Sequence, residues 1–319
     1  MKPVILLTGK NGQVGGELLR LLPQLGELVA FGRDQLDLSK PGDIRRTIRE
    51  VRPQLIVNAA AYTAVDQAET DETMAHAINA EAPELIAAEA KRVGAALLHY
   101  STDYVFDGSK RAPYDEADSV NPLNVYGKTK FAGEQAIGGS GVPHLIFRTA
   151  WVYATRGSNF LLTVLRLATE REELRIVSDQ VGAPTCAADL ATATCKILAG
   201  INERNREQFD FCEASGTYHV SAAGQTTWYE FAMAILEEAK ASSHSQRWLS
   251  DATKGRQLIA RRVIPISTEE FHSPTHRPSY SVLSNSKLVQ TFGVALPDWN
   301  TQLQQCFVLE SIAAKLLAD

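Results

Sequence analysis

Short apolar runs alternate with amphipathic segments along the first half of the chain. The apolar runs are rich in Val, Ile and Leu, as in strands that are buried on both faces of a sheet. The segments between them repeat their apolar residues at helical spacing. The pattern therefore predicts strands at 3–7, 28–31, 55–58, 95–101 and 144–149. It predicts helices at 13–22, 44–51, 74–93 and 128–136, with Pro83 as a local disturbance of the third.

The second half of the chain is less regular. We predict helices at 159–169, 187–199, 228–241 and 299–317, and strands at 174–177 and 217–220. The segment 242–262 is polar and basic and has no clear periodicity. We interpret it as a loop or a weakly ordered insertion.

Strands that alternate with helices form βαβ units, which build a parallel sheet covered by helices on both faces. The sequence therefore predicts an α/β protein with a Rossmann-type doubly wound parallel sheet. We expect residues 1–155 to form the Rossmann domain. Residues 156–319 should form mainly a smaller, C-terminal-weighted substrate-binding lobe, with some segments returning to the first domain.

The composition is that of a soluble globular protein, with 319 residues of which 45% are hydrophobic and 22% charged. The net charge is −5 and no long basic run is present, which argues against nucleic acid as the main partner. The N-terminal apolar run ends in a glycine turn, so it predicts a buried strand rather than a signal peptide. No apolar run reaches the roughly 18 residues that a membrane span needs, and no membrane partner is expected.

The cysteines indicate the redox compartment. The chain contains Cys186, Cys195, Cys212 and Cys306, and no two of them form a CxxC pair. Cysteines with this scattered spacing are most simply free thiols in a reducing compartment. We therefore expect a cytoplasmic protein.

A glycine-rich turn joins the first predicted strand to the first predicted helix. Gly9, Gly12 and Gly15 give the spacing GxxGxxG. Glycine allows positive φ and a close approach of the backbone, and the following helix N-terminus presents free N–H groups to an anion. In this position the turn predicts a pyrophosphate cradle for a dinucleotide. The alternative is a tight strand–helix turn with no ligand.

The end of the second strand bears on which dinucleotide binds. An acidic residue there would hold the ribose 2′-hydroxyl of NAD, but the sequence reads Gly32-Arg33-Asp34. Arg33 could instead pair with the 2′-phosphate of NADP. We therefore predict NADP(H) as the preferred cofactor and NAD(H) as a second one, with a plain surface role for Arg33 as the alternative.

The third strand ends in small residues. Ala59, Ala60 and Ala61 precede Tyr62. Small side chains at the carboxyl end of a strand would let a flat cofactor lie close to the backbone. The alternative is that they only pack against a helix.

The candidate catalytic residues follow the fourth strand. This strand ends in Ser101 and Thr102, at the sheet edge where ligands bind in open α/β folds. Tyr126 and Lys130 follow, and their spacing of about one helical turn puts them on one face of a helix. An adjacent ammonium lowers the pKa of a phenol, so Tyr126 is predicted to be a general acid or base. Thr102 could bind the same substrate oxygen.

Other polar residues have simpler interpretations. His76, His99, His144 and His219 lie in predicted helices and strands, and we interpret each as a core or surface histidine. Arg277 could pair with a diphosphate through two hydrogen bonds. A structural salt bridge is an equal alternative for it.

These residues together resemble the extended short-chain dehydrogenase/reductase family and, within it, the dTDP-4-dehydrorhamnose reductases. The resemblance covers almost the whole chain, and YxxxK and the glycine turn are shared by the superfamily. The segments specific to this branch are STDYVF at 101–106, NVYGKTKFAGE at 124–134, FRTAWVY at 147–153 and DQVGAPT at 179–185.

The resemblance implies a reaction and a role for each matching residue. A nucleotide sugar, dTDP-4-dehydrorhamnose, would be reduced at C4 by NAD(P)H to dTDP-L-rhamnose. Tyr126 would donate the proton, and Lys130 would hold the nicotinamide ribose and lower the pKa of Tyr126. Thr102, Asp103 and Trp151 would contact the substrate. The cofactor would lie along Gly9, Gly12, Gln13, Val14, Arg33, Asp37, Leu38, Ala59, Ala60, Ala61, Tyr62, Thr63 and Tyr100.

Several alternatives stay open. Some relatives form metal-linked dimers through acidic residues, and Glu17 and Asp298 could serve here, but an expected acid after residue 185 is absent and we predict no metal site. A homodimer is compatible with the resemblance. The chain could also be a non-catalytic regulatory subunit of the methionine adenosyltransferase type, or a reductase or epimerase of another nucleotide sugar.

Overall fold

The computed structural model of the chain describes residues 2–204, 209–242 and 246–316. Its strands are β1 Val4–Thr8, β2 Glu27–Phe31, β3 Leu55–Asn58, β4 Ala96–Thr102, β5 His144–Thr149, β6 Val152–Tyr153, β7 Glu173–Val177, β8 Val181–Gly182, β9 Thr185–Cys186, β10 Gly216–His219, β11 Thr226–Thr227 and β12 Arg262–Ile266.

Helices occupy most of the connections between the strands. The α-helices are α1 Gln13–Leu21, α2 Pro41–Val51, α3 Val65–Ala68, α4 Glu72–His76, α5 Ala82–Val93, α6 Val125–Ser140, α7 Phe160–Ala168, α8 Ala187–Arg204, α9 Trp228–Ala241, α10 Arg247–Thr253, α11 Thr268–Phe271, α12 Ser286–Phe292 and α13 Trp299–Leu316. Short 3₁₀ helices cover Leu22–Gln24, Asp103–Val105 and Cys212–Ala214, and one π-helical turn covers Ala77–Glu81.

The main sheet has six parallel strands in the order β2-β1-β3-β4-β5-β10. The chain leaves β1 towards one edge to form β2, and then returns to the other side of β1 to form β3. This reversal makes a crevice outside the carboxyl ends of β1 and β3, which is where ligands bind in such sheets. The predicted α/β class and Rossmann-type sheet are confirmed.

Helices cover both faces of this sheet. Alternate strand residues point to opposite faces, so Ile5 and Leu7 join one hydrophobic core with residues of α1 and α8. Leu6 joins a second core, on the side of α2, α5 and α6. Because both faces are buried, the central strands read as continuous apolar runs, which explains why the sequence predicts them well.

The remaining elements form a smaller lobe with its own core. This core is built from residues of α7, α9, α10, α13, β7 and β9. Strand β10 pairs with β5 at the edge of the main sheet, so this later segment of the chain belongs to that sheet. The boundary between residues 155 and 156 stays a prediction.

The prediction of a loop at 242–262 is wrong for residues 247–253, which form α10, and for Arg262, which begins β12. Residues 243–245 lie outside the described part of the chain, but α10 follows them and β12 pairs with β7. Trp248, Leu249 and Ala260 are buried in the lobe core. Helix α10 has seven residues, which is about two turns and too short to give a clear helical period.

The predicted helix at 74–93 is interrupted. It consists of α4, the π-helical turn and α5, and Pro83 stands in the first turn of α5. Proline has no N–H and its ring crowds the preceding turn, so the wider π turn accommodates it. In that turn, Asn79 is buried and its amide forms hydrogen bonds with both the N–H and the carbonyl of Tyr62.

Within the described residues, no helix is long and apolar enough to cross a membrane.

Helix α6 approaches this turn closely because of one glycine. A Cβ added to Gly133 would lie 2.2 Å from the carbonyl oxygen of Asn79, whereas a Cβ on Gly138 of the same helix would meet nothing within 4 Å. We expect Gly133→Ala to lower the free energy of unfolding by about 2 kcal/mol, because the backbones must separate. Gly138→Ala is the matched control and should raise it by up to about 1 kcal/mol. Urea unfolding measures both, and equal effects would contradict the close approach.

Candidate active site

The glycine turn lies at the crevice between β1 and β3. Gly9 has φ +74°, and a Cβ there would lie 2.8 Å from the backbone nitrogen of Ala60. A Cβ on Gly15 would lie 2.1 Å from the carbonyl oxygen of Gly9. Gly12 is the N-cap of α1 and has no side chain to cap the helix N–H groups. The backbone is therefore drawn tightly together and α1 begins with N–H groups available to an anion, which fits a dinucleotide pyrophosphate.

The two residues after Gly12 face different neighbours. The Gln13 amide donates to the carbonyl of Val152 at 3.4 Å and accepts from Asn159 at 2.8 Å, so it ties α1 to the chain after β5. Val14 packs against the first core. Only the backbone of these residues is thus placed for the predicted contact with a pyrophosphate.

The predicted groove continues past the end of β3. Ala59, Ala60 and Ala61 are half-buried there and Thr63 is exposed. Tyr62 is held at both ends, because Asn79 binds its backbone and its hydroxyl donates to Asp71 at 3.2 Å. Burial, followed by the charge of Asp71, raises the pKa of Tyr62, so its phenol stays protonated.

At the end of β2, an acid at the position predicted for NAD recognition would displace the ends of two exposed side chains. A Cβ on Gly32 would lie 2.6 Å from the amide nitrogen of Asn11 and 2.7 Å from a carboxylate oxygen of Asp34. Arg33 is exposed, and its charge acts on both Asp37 and Tyr62, so it lies at the rim of the groove.

Asp37 and Leu38 follow at the far end of the groove. Hydrogen bonds from the hydroxyl and the backbone N–H of Ser39 lower the pKa of Asp37, so this carboxylate is ionised and oriented. Leu38 is buried in the second core.

The carboxyl end of β4 presents two buried polar side chains. The Thr102 hydroxyl donates to Asp103 at 3.0 Å and accepts from the N–H of Tyr104 at 3.1 Å. Burial raises the pKa of Asp103 to about 7, and hydrogen bonds from Ser281 and Thr102 oppose this shift. One Asp103 oxygen, Oδ2, has no hydrogen-bond partner among the described residues. A buried, unpartnered carboxyl oxygen is suited to accept a hydrogen bond from a ligand.

Tyr126 stands in the first turn of α6. Asn124 is the N-cap, and its side-chain oxygen accepts from the N–H of Gly127 at 2.8 Å. This cap fixes where the helix begins and so aims Tyr126 at the end of β4. The ring packs edge-on against Tyr104, with centroids 5.8 Å apart. Burial raises the pKa of Tyr126 to about 12, while the hydroxyl of Thr102 favours the phenolate and works in the opposite direction.

Lys130 lies one turn further along α6 and is 2% exposed. Its Nζ donates to the carbonyl of Tyr100 at 2.6 Å and lies 3.1 Å from Nε2 of His99. Burial lowers the pKa of Lys130 to about 8, and the charge of Glu134 opposes this shift.

The sequence predicted that Lys130 would lower the pKa of Tyr126, and the structure contradicts this prediction. The spacing places both residues on one face of the helix, as expected. However, the ammonium hydrogen-bonds the end of β4 rather than the phenol, and burial outweighs the other influences on the Tyr126 pKa. The pKa of Tyr126 is therefore raised, whereas the sequence predicted that it would be lowered.

Tyr100 contributes its backbone to the site. Its side chain is buried in the first core, packs edge-on against Phe147 and shares a hydrogen bond of 2.7 Å with Thr194. Burial raises the pKa of this phenol. The ring of Tyr100 therefore lies in the core and its carbonyl binds Lys130, and its role in lining the cofactor groove stays a prediction.

Trp151 lies beside the site in a strained conformation. Its φ of +46° is rare for a residue with a large side chain. The indole stacks on Trp228 with ring centroids 3.5 Å apart and also packs against Gly182. A strained aromatic held between neighbours at a cleft is a frequent feature of binding sites.

Two other predicted residues are engaged in ion pairs. Arg277 donates to both carboxylate oxygens of Asp66 at 2.9 Å, so it makes the structural salt bridge that the sequence allowed. Glu17 pairs with Arg20 and Arg156. Across residues 2–204, 209–242 and 246–316, no three His, Cys, Asp or Glu side chains are grouped so that they could hold a metal.

Three residues that hold the site were missed from the sequence. Asn124 was detectable, because Asn before a predicted helix is a common N-cap. Asn79 gave no signal, since it stands inside a long helical pattern. His99 was interpreted as a core histidine, because nothing in one sequence reveals that a strand residue faces a lysine on a distant helix.

Comparison with known proteins agrees with this geometry. The RmlD substrate binding domain family matches residues 1–311. The chain is 47% identical over 303 residues to a dTDP-4-dehydrorhamnose reductase of Burkholderia thailandensis, covering 95% of this chain and 97% of the relative. It is 44% identical over 305 residues to the enzyme of that name from Escherichia coli, covering 94% and 96%.

A solved structure is similar over the same length. The crystal structure of dTDP-4-dehydrorhamnose reductase from Bacillus anthracis, in complex with NADP, has a TM-score of 0.82 at 36% identity and covers 97% of this chain and 100% of its own. The chain therefore belongs to the RmlD family of dTDP-4-dehydrorhamnose reductases.

Proposed function

We propose that this protein reduces the C4 keto group of dTDP-4-dehydro-6-deoxy-L-mannose (dTDP-4-dehydrorhamnose) with NADPH, giving dTDP-L-rhamnose. The observation that carries the proposal is the meeting of Thr102, Tyr126 and Lys130 at the carboxyl end of β4, two strands away from β1 and its glycine turn. Relatives more than 40% identical over most of the chain are reductases of this sugar nucleotide.

The chain offers a groove in which the cofactor would lie along the ends of β1, β2 and β3. The backbone of the glycine turn would hold the pyrophosphate, Arg33 would meet the 2′-phosphate, and Lys130 would bind the nicotinamide ribose. NADP is bound by the similar Bacillus anthracis enzyme, and we propose NADPH as the preferred cofactor with NADH as the second. When bound, the cofactor supplies the hydride.

Tyr126 would donate the proton to the C4 oxygen. Its raised pKa of about 12 keeps the phenol protonated at neutral pH, which is the state a proton donor needs. An alkoxide forming at C4 is a stronger base than this phenolate, so the proton moves downhill in free energy. The hydroxyl of Thr102, which already favours the phenolate, would also bind the C4 oxygen of the substrate and orient it.

The substrate end of the site would be formed by Asp103 and Trp151. Oδ2 of Asp103, which has no hydrogen-bond partner among the described residues, would accept a hydrogen bond from a sugar hydroxyl. The Trp151–Trp228 stack, which follows the end of β5, would offer a flat apolar surface to the substrate. The cytoplasmic location and the homodimer stay predictions from the sequence.

Removing the Tyr126 hydroxyl tests the proposed proton donor. We expect Tyr126→Phe to reduce kcat by roughly 10²–10⁴-fold, as for the loss of a general acid, with little change in the NADPH dissociation constant. Tyr153→Phe is the matched control, because Tyr153 is a buried phenol of the lobe core. Turnover is followed by the loss of NADPH absorbance and binding by fluorescence titration. A Tyr126→Phe variant with the wild-type rate would remove Tyr126 from the reaction.

The low pKa of Lys130 predicts the pH dependence. Because burial lowers this pKa from 10.5 to about 8, the ammonium is present below that pH and is lost above it. We expect kcat/KM for NADPH, which reports groups of the free enzyme, to fall as the pH rises through about 8. Lys130→Ala, which has no group to titrate there, should lose affinity and rate and show no such step. A wild-type profile that stays level up to the ordinary lysine value would contradict the assignment.

Arg33 should decide between the two cofactors. If its guanidinium meets the 2′-phosphate, Arg33→Ala should weaken NADPH binding roughly tenfold, the loss expected for one charge-assisted contact near the surface. NADH binding should not change. Arg46→Ala is the control, since Arg46 is an exposed arginine of α2 paired with Asp43. Equal weakening of both cofactors would assign Arg33 to the fold of the groove instead.

A further inference from the structure

Four buried polar side chains form a line of hydrogen bonds that runs from the centre of the sheet and ends at Lys130. The hydroxyl of Thr8 on β1 donates to Oδ1 of Asn58 on β3 at 2.6 Å. Nδ2 of Asn58 lies 3.0 Å from Nδ1 of His99 on β4. Nε2 of His99 lies 3.1 Å from Nζ of Lys130. All four are at most 3% exposed. Their polar hydrogens must therefore be donated to one another or to other protein groups, and not to water.

The orientation of Asn58 fixes where the protons are. The 2.6 Å contact is typical of O–H···O and short for N–H···O, and the N–H of Ala60 also approaches Oδ1, at 3.3 Å. Both contacts put the amide oxygen away from His99. The amide N–H then points at Nδ1 of His99, which must accept.

The ring proton of His99 is thereby located. Burial, together with the charge of Lys130, holds the pKa of His99 well below its usual range, so the ring is neutral and carries one proton. Since Nδ1 accepts from Asn58, the proton is on Nε2 and points at the nitrogen of Lys130. An N–H donor facing an ammonium repels it, whereas the same donor forms a hydrogen bond with the lone pair of an amine.

We propose that His99 is a positioning residue for Lys130, which donates its Nε2–H to the lysine nitrogen and favours the uncharged amine. The amine in turn donates to the carbonyl of Tyr100, which fixes Nζ at two points. The role rests on the function proposed above for Lys130, and it lowers the pH at which Lys130 loses its charge.

The elements packed around Lys130 contribute other charged and titratable groups. Glu134 on the same helix favours the ammonium, but it is bound by Arg148 of β5 at 2.6 Å, which offsets its charge. Tyr126 stands one turn earlier, and Asp103 acts on Tyr126 from the end of β4. Among these described groups, His99 makes the direct contact with Nζ.

The ring tautomer can be measured without any turnover. ¹⁵N-labelled histidine gives separate NMR shifts for protonated and unprotonated ring nitrogens, and His99→Gln identifies the signals of His99. We expect His99 to be neutral with its proton on Nε2 above about pH 8, where Lys130 is mostly the amine. His219 is the internal control with the opposite expectation, because its Nδ1 lies 3.1 Å from the carbonyl of Tyr114 and can only donate to it. A proton on Nδ1 of His99, or a charged ring, would overturn the proposal whatever the activity of the protein.

Kinetics test the consequence for Lys130. In His99→Asn, the shorter side chain keeps a polar group near Asn58 but no longer reaches Nζ. Without this donor the uncharged amine is less stable, so the pKa of Lys130 rises. The basic limb of the kcat/KM profile should therefore move up by about one pH unit, which corresponds to the free energy of about one hydrogen bond. His99→Gln can still reach Nζ and should stay nearer to wild type, and His219→Asn should leave the limb in place.

If the His99→Asn variant folds and its basic limb lies at the wild-type pH or at a lower pH, the proposed role of His99 is wrong. A protein that turns over no substrate but has the expected tautomer would instead contradict the proposed function alone. If His99→Asn does not fold, the NMR measurement on the wild-type chain still decides.

Discussion

The contact on which the site depends is the hydrogen bond of 2.6 Å between Lys130 and the carbonyl of Tyr100. It joins α6 to the end of β4 in the interior of the protein, where water cannot replace it. With that distance fixed, Tyr126 lies one turn earlier on α6 and reaches the hydroxyl of Thr102. Glycines on the same helix permit the approach, since a Cβ on Gly127 would lie 2.2 Å from the carbonyl of Tyr104.

Burial has the same effect on both ionisable groups of the pair. It lowers the pKa of Lys130 to about 8 and raises that of Tyr126 to about 12, so each is pushed towards its uncharged form. Low dielectric surroundings disfavour charge of either sign. A phenol that keeps its proton until a stronger base forms, beside a lysine that releases its proton easily, suits a reduction in which charge develops only at the substrate oxygen.

The sequence predicted most of what depends on local pattern. The central strands are apolar runs because both of their faces are buried, and the glycine turn and the Tyr126–Lys130 spacing depend on neighbours in the chain. The failures depend on tertiary contacts. Trp248 and Leu249 mark a helix too short for a visible period, and the pKa of Tyr126 depends on burial that no spacing reveals.

The central claim is that the buried cluster at the end of β4 reduces a keto sugar. The most direct test is to incubate the protein with NADPH and dTDP-4-dehydrorhamnose generated in situ, and to identify the product by NMR. The account predicts dTDP-L-rhamnose in an amount equal to the NADPH oxidised. NADPH binding without any oxidation, or a product with another configuration at C4, would contradict it.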